Sequence, residues 1–252
     1  MRHLFGPEGT RALQDAMRAH PLLAFDFDGT LAPIVERPDD ARVPPALSER
    51  LGRLARRRPV AVVSGRAVAD VAPRLGFSPR FIVGNHGAED PEQPAGPGGS
   101  RLDGLRAHLA AHAAELQAAG VEVEDKRLSL ALHYRRAPDR SRAAACIGAL
   151  LAGFGPHVVS TFGGKCVVNA VVAGAPDKGD AVVSLTRRAG CDATVFVGDD
   201  VNDEAVFARA LPGWLTVRVG RDDPRSRAGF FLDGHSEVER LLDAMLAGLP
   251  GA

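Results

Sequence analysis

Three cysteines in 252 residues are too few, and odd in number, for a disulfide framework. Cys146, Cys166 and Cys191 also fit no zinc pattern, so each is expected as a small buried hydrophobe. Surplus charge is missing too. The 31 basic residues meet 31 acidic ones, which excludes the basic footprint that a nucleic-acid binder needs. The run of arginines at 56–58 closes a helical pattern before Pro59, where cations complement the helix dipole. No apolar run approaches a membrane span, and residues 1–20, MRHLFGPEGTRALQDAMRAH, hold no apolar core of signal-peptide length. A cytoplasmic protein is expected, with no nucleic acid and no membrane as partner. Its oligomeric state is left open, a monomer included.

What is present is ordinary in bulk and specific in pattern. Apolar residues make up 45% and charged residues 25%, and the length suits one large domain or two modest ones. Four short apolar runs read as buried parallel strands: PLLAFDFD (21–28), PVAVVSGR (59–66), RFIVGN (80–85) and ATVFVGDD (193–200). Helical patterns intervene at 45–57, 67–75, 179–189 and 203–210. Strand and helix in alternation predict an α/β fold, a doubly wound parallel sheet covered on both faces. Ligands of such sheets bind beyond the carboxyl ends of the strands, where the polar tails of these runs lie.

The middle of the chain has another texture. PEQPAGPGGS (91–100) is a proline- and glycine-rich linker. A helical stretch at 102–119 precedes VEVEDK and LSLALHYR, which alternate as antiparallel strands do. Another helical stretch at 139–153 precedes VVSTF and KCVVNAV, and AGAPDKG (173–179) returns the chain to the first pattern. Residues 92–174 are therefore expected as an inserted α+β domain, with 1–91 and 175–252 forming the core.

Chemistry concentrates at two acidic clusters. Side chains at i and i+2 of a strand point the same way, so Asp26 and Asp28 of DFDGT are expected to approach one site. GDDVNDE (198–204) follows another strand, and if both strands are central, five aspartates converge. So many carboxylates call for a hard divalent cation, and oxygen-only ligands suit magnesium. Ser64, in SGR after the second strand, is expected to open a helix whose hydroxyl and amides bind an anion. Lys178, in PDKGD, stands at a helix entry just before the last strand.

DFDGTLAP, VVSGR, DKGD and GDDVNDE, in that order, resemble the four motifs of the haloacid dehalogenase-like phosphatases. FDFDGTLAPI, GNHGAE, EDKRLSLALHYR and GKCVVNA are further similar to the trehalose-6-phosphate phosphatase family, over nearly the whole chain. The resemblance implies a Rossmann-like core and an inserted cap that closes over a sugar phosphate. It implies a magnesium-dependent phosphatase that releases trehalose from trehalose 6-phosphate through an aspartyl phosphate. Asp26 would be the nucleophile and Asp28 the acid and base. Magnesium would be held by Asp26, the Asp28 carbonyl and Asp199, with Asp200 and Asp203 in support. Ser64 and Lys178 would hold the phosphoryl oxygens. Substrate binding would fall to Arg66, His86, Glu124, Lys126, Arg135 and Asn169. His86 and His133 are kept out of acid–base work, which the carboxylate pair covers.

Two positions depart from the family. Asn169 stands where glutamate is common, and Asn202 where threonine is common. The first bears on which sugar is recognised, so a phosphatase of another sugar or pseudo-disaccharide phosphate is the alternative. A phosphomutase, or a sugar-phosphate binding module without catalysis, comes behind it.

Overall fold

The computed structural model describes residues 1–93, 98–164 and 166–249. The chain forms two compact units, Met1–Gly87 with Pro176–Ala252, and Ala88–Ala175. The larger unit begins with β1 (Arg2–His3), α1 (Pro7–Arg18), β2 (Leu22–Phe25), α2 (Pro45–Ala55), β3 (Val60–Val63), α3 (Val68–Val71) and β4 (Phe81–Val83). The smaller unit follows as α4 (Gly98–Arg101), α5 (Asp103–Ala111), α6 (Ala113–Ala118), β5 (Glu122–Asp125), β6 (Ser129–His133), α7 (Arg140–Leu151), β7 (Val159–Gly164) and β8 (Val167–Val172). The chain returns through α8 (Lys178–Arg188), β9 (Thr194–Gly198), α9 (Glu204–Ala208), β10 (Leu215–Val219), β11 (Phe230–Leu232) and α10 (Val238–Ala247).

Seven parallel strands of the larger unit pair in the order β1-β11-β10-β9-β2-β3-β4. The central strands β2 and β3 are apolar throughout because both faces are covered. Leu23 and Phe25 of β2, Val60 and Val62 of β3, and Val195 and Val197 of β9 join one core with Leu51 of α2 and Leu241 of α10. Leu22, Ala24, Ala61, Val63 and Phe196 face the other way, onto Val182 and Leu185 of α8. From β2 the chain winds outward through β3 and β4, and from β9 it winds the opposite way through β10 and β11. The reversal between β2 and β9 opens the crevice where such sheets bind ligands.

Three strands were not among the four expected. β1 and β11 are two and three residues long, and Arg218 interrupts the apolar run of β10. The helical stretch expected at 102–119 is broken at His112, whose φ of −106° and ψ of 19° separate α5 from α6. The three cysteines are free thiols, but part-buried rather than buried. No helix among the described residues is long and apolar enough to cross a membrane.

In the smaller unit, antiparallel strands pair in the order β5-β6-β8-β7. Leu130 and Leu132 of β6 and Ala170 and Val172 of β8 pack with Leu105 and Leu109 of α5 and Ile147 of α7. The smaller unit begins at Ala88 rather than at 92. Gly87 is still pinned in the larger unit, where its backbone lies against the Asp177 carbonyl. The linker expected at 91–100 falls in part on residues 94–97, and the GKCVVNA stretch includes Lys165; these lie outside the described residues.

Candidate active site

The pairing of β2 with β9 sets Phe25 opposite Val197, and the Asp26 amide donates to the Val197 carbonyl at 2.9 Å. Asp26 is thus the first residue past the strand, and its side chain is buried. β2 stops at Phe25, so Asp26 and Asp28 both lie past the strand and the strand's two-residue period does not govern them. A tight turn follows, in which Gly29 N donates to Ala32 O at 2.7 Å and Leu31 N to Phe27 O at 3.0 Å. Gly29 has φ 82°, and a Cβ there would run into the Asp199 carboxylate. Only glycine lets this turn lie so close to the second acidic loop.

Lys178 joins the two clusters. Its ammonium donates to Asp26 Oδ1 and to Asp203 Oδ1, both at 2.7 Å. Asp203 Oδ2 accepts the amides of Asp199 and Asp200, each at 2.9 Å, which curls the acidic loop back on itself. Carboxylate oxygens of Asp26, Asp199 and Asp203 all lie within 4.8 Å of one another. The side chains of Asp28 and Asp200 stand outside this group. Three of the five expected carboxylates converge.

The group is short of positive charge. Burial pushes the Asp26 carboxyl well above its ordinary pKa, and Asp203 and Asp199 push the same way, against the attraction of Lys178. Burial works to discharge Lys178 too, but Asp203 and Asp26 outweigh it and raise its pKa. Three buried carboxylates against one ammonium leave a deficit of two charges when all are ionised. Asp200 Oδ1 is also buried, with no hydrogen-bond partner among the described residues. An all-oxygen donor set with that deficit fits a hard divalent cation.

Ser64 lies past β3 but does not open a helix. α3 begins at Val68, with Ala67 at its N-cap, so Ser64 belongs to a loop. Its hydroxyl accepts the Arg66 amide at 3.1 Å. Arg66, expected at the substrate, is committed elsewhere in this structure. Nε and Nη2 grip the Asp28 carboxylate at 2.7 and 2.8 Å, Nη1 donates to Asp70 at 2.9 Å, and Nη2 reaches the Pro38 carbonyl. Burial alone would raise the Asp70 pKa, but hydrogen bonds from Arg66 and Arg74 bring it below the usual range. His86 is buried, with its imidazole against Gly65.

The remaining expected residues belong to the smaller unit. Glu124 pairs across the sheet with Ala131, which pairs with Asn169, which pairs with Phe162. Directly opposed residues share a face, so Glu124 and Asn169 stand in one row. Leu130, Leu132 and Ala170, next to them in sequence, turn to the unit's own core. His133 Nε2 and Glu124 Oε2 are hydrogen-bonded at 2.9 Å, and Lys126 Nζ lies 3.5 Å from the same oxygen. The His133 bond, with the Lys126 and His133 charges, lowers the Glu124 pKa against the effect of burial. The Arg135 carbonyl accepts from Arg140, at 3.1 Å from Nη2.

Sequence reasoning missed Arg218. It sits on β10 beside Gly198, 2% exposed, and its guanidinium faces the acidic loop from behind. Nη1 lies 3.5 Å from the Asp200 carbonyl and 3.4 Å from Glu204 Oε1, and Nη2 lies 3.2 Å from Asp222. A lone arginine inside an apolar pentad, LTVRV, was the available signal.

A doubly wound sheet with acidic turns just past two adjacent central strands, bridged by one buried lysine, defines the haloacid dehalogenase-like class. A family model described as trehalose-phosphatase matches residues 24–213, and the chain belongs to that family. It is 37% identical over 254 residues to a trehalose-phosphate phosphatase of Mycolicibacterium paratuberculosis, covering 91% of this chain and 64% of that one. A protein of the same name from Mycobacterium avium is 36% identical over 255 residues, with the same coverage of 91% and 64%. The chain thus spans 64% of the length of these two relatives. The C-terminal domain of a trehalose-6-phosphate phosphatase from C. albicans shares the fold, with a TM-score of 0.77 at 24% identity over 95% of this chain and 96% of that one.

Proposed function

We propose that this protein is a magnesium-dependent phosphatase that hydrolyses trehalose 6-phosphate to trehalose and phosphate. The observation that carries the proposal is the buried bridge from Lys178 to Asp26 and Asp203, in a chain of the trehalose-phosphatase family. Asp26 attacks phosphorus, and its carboxylate oxygen forms the new bond as the bond to the sugar oxygen breaks. Asp28 supplies the proton to that leaving oxygen. It then takes a proton from the water that attacks the aspartyl phosphate, which returns Asp26 and releases phosphate. To do so, the Asp28 carboxyl exchanges its Arg66 partner for the reacting oxygens. Ser64 and Lys178 hold the phosphoryl oxygens, preorganised donors where charge spreads in the transition state. Asp26, Asp199 and the Asp28 carbonyl would hold magnesium, with Asp200 and Asp203 behind them. When bound, magnesium neutralises the repulsion between carboxylate and phosphate.

Sugar recognition is assigned to Glu124, Lys126, Arg135 and Asn169, with residues 88–175 as the cap. The row shared by Glu124 and Asn169 supports residue 169 as the position where substrate choice turns. An asparagine accepts fewer hydroxyl donors than a glutamate and without charge assistance. That leaves a phosphatase of another sugar or pseudo-disaccharide phosphate as the second reading.

The test is phosphate release from a panel of sugar phosphates with and without magnesium. Trehalose 6-phosphate should give the highest kcat/KM, and chelation should abolish turnover. Asn169→Glu should raise kcat/KM for trehalose 6-phosphate about fivefold, near 1 kcal/mol. Higher kcat/KM for another sugar phosphate would select the second reading. Full turnover in verified absence of metal would reject the magnesium role.

A further inference from the structure

Past β4 the chain enters backbone space that side chains avoid. Asn85 has φ 48°, His86 φ 58° and Gly87 φ 112°, three left-handed residues in succession. Asn85 and His86 are 1% and 7% exposed, so neither is a surface turn that solvent could relax. Such conformations persist where packing over-determines them.

The packing lies on two sides. On one side the turn is laced to the loop carrying Ser64. Ser64 N donates to Val83 O at 2.9 Å, His86 N to Ser64 O at 2.9 Å, and Asn85 N to Arg66 O at 2.8 Å. The His86 imidazole covers Gly65 so closely that a Cβ on Gly65 would run into its Cε1. On the other side Gly87 meets the entry to α8, where a Cβ would run into the Asp177 carbonyl and approach Lys178 N at 3.0 Å. One three-residue turn therefore touches both the residue after Ser64 and the residue before Lys178.

We propose that the turn 85–87 is a spacer that sets the separation between the Ser64 hydroxyl and the Lys178 ammonium, with His86 as its positioning residue acting through Gly65. The inference rests on the assignment of Ser64 and Lys178 to the phosphoryl oxygens. His86 then touches neither substrate nor metal, which differs from the substrate-binding role expected for it. Its left-handed backbone turns the imidazole onto Gly65, and the absence of a side chain at 65 makes room for the ring.

The test compares wild type, Gly65→Ala, His86→Gly and the double variant, with saturating magnesium. Two quantities are read: the Kd for inorganic phosphate by calorimetry, and kcat and KM for trehalose 6-phosphate. Gly65→Ala should weaken phosphate binding and lower kcat on the order of a hundredfold, the scale of a misplacement near 1 Å. His86→Gly should lower both about tenfold with the native fold retained by circular dichroism, since glycine accepts the positive φ. The double variant should regain most of what Gly65→Ala lost, because the new methyl takes the room of the imidazole. Should Gly65→Ala fail to fold, His86→Gly and the double variant carry the test.

A double variant no better than its worse parent, or His86→Gly with wild-type phosphate affinity and kcat, overturns the spacer. Active wild type with unchanged phosphate binding in all variants also rejects it, while the phosphatase assignment stands. Inactive wild type whose phosphate binding still falls in His86→Gly and returns in the double variant supports the spacer and removes the phosphatase assignment. Wild type that binds no phosphate removes both.

Discussion

In the larger unit Lys178, Asp26, Asp199, Asp203 and Arg218 are each at most 5% exposed, whereas among the described residues of the smaller unit no charged side chain is buried. The smaller unit wears its ion pairs outside, as in Arg106 to Asp125 at 2.7 Å, with side chains 25% and 47% exposed. Burying a charge costs several kcal/mol before its partners offset it, while an exposed pair costs and contributes little. The larger unit thus carries the charges that are costly to bury, and they gather in one place past the central strands. Such gatherings are characteristic of functional sites.

The contrast can be broken first at its extreme. Asp26→Asn should leave the fold intact and reduce turnover by ~10⁴-fold or more, the scale for loss of a nucleophile. Steady-state phosphate release checks it, with circular dichroism as the folding control. Turnover within tenfold of wild type would end the assignment of Asp26.

Arg218→Met comes next. It leaves Glu204 and the Asp200 carbonyl without their buried cation, but Glu204 is part-exposed and Asp222 exposed, so both can hydrate. The expected loss of stability is therefore about 1–3 kcal/mol, below that for a fully enclosed pair. Urea midpoints should report it, together with weaker magnesium binding by calorimetry, since Nη1 lies beside the loop backbone at Asp200.

A pH series in chelator sharpens the comparison. Asp26 has a raised folded pKa, so between about pH 4, the ordinary carboxylate value, and its raised value the folded chain holds a proton that the unfolded chain has lost. Stability should fall as pH rises through that window, by about 1.4 kcal/mol for each pH unit. Lys178 stays charged in both states there and adds no slope. Asp26→Asn should remove the fall and leave the metal-free protein more stable than wild type at neutral pH. The lowered carboxylates of the smaller unit, Glu124 and Asp125, act in the opposite sense, losing stability only as pH drops through the acid range. Parallel slopes for wild type and Asp26→Asn would contradict this.

The smallest effect belongs to the surface. A double-mutant cycle on Arg106 and Asp125 should give about 0.2–1 kcal/mol of coupling, reduced by salt. A coupling of several kcal/mol would dissolve the distinction between the units.

The same contrast governs what was legible in the sequence. DFDGT, DKGD and GDDVNDE could be read because burying charge demands a local signature, carboxylates and a lysine at the ends of apolar runs. The strand pattern told β2 and β9 apart from helices for the same reason, as both faces are covered. Arg218 escaped because its partners are 14 and 18 residues away in sequence, Glu204 and Asp200, and only the pairing of β10 with β9 brings them together. The grip of Arg66 on Asp28 spans 38 residues and was equally invisible. Arg58, read as a cation at a helix end, turned inward far enough that burial lowers its pKa. In the smaller unit, alternation revealed strands, but the row of Glu124 and Asn169 depends on register, which no single strand encodes.

The central claim is that the charge crowded around Asp26 exists to form a bond to phosphorus. The direct measurement mixes enzyme, magnesium and trehalose 6-phosphate, quenches in acid within a turnover, and reduces the protein with borohydride before peptide mass spectrometry. An acyl phosphate on Asp26 would be reduced to homoserine at position 26, and the account predicts that conversion there and at no other carboxylate. Steady phosphate release with Asp26 never converted, or with homoserine appearing at Asp28 or Asp199 instead, would contradict it.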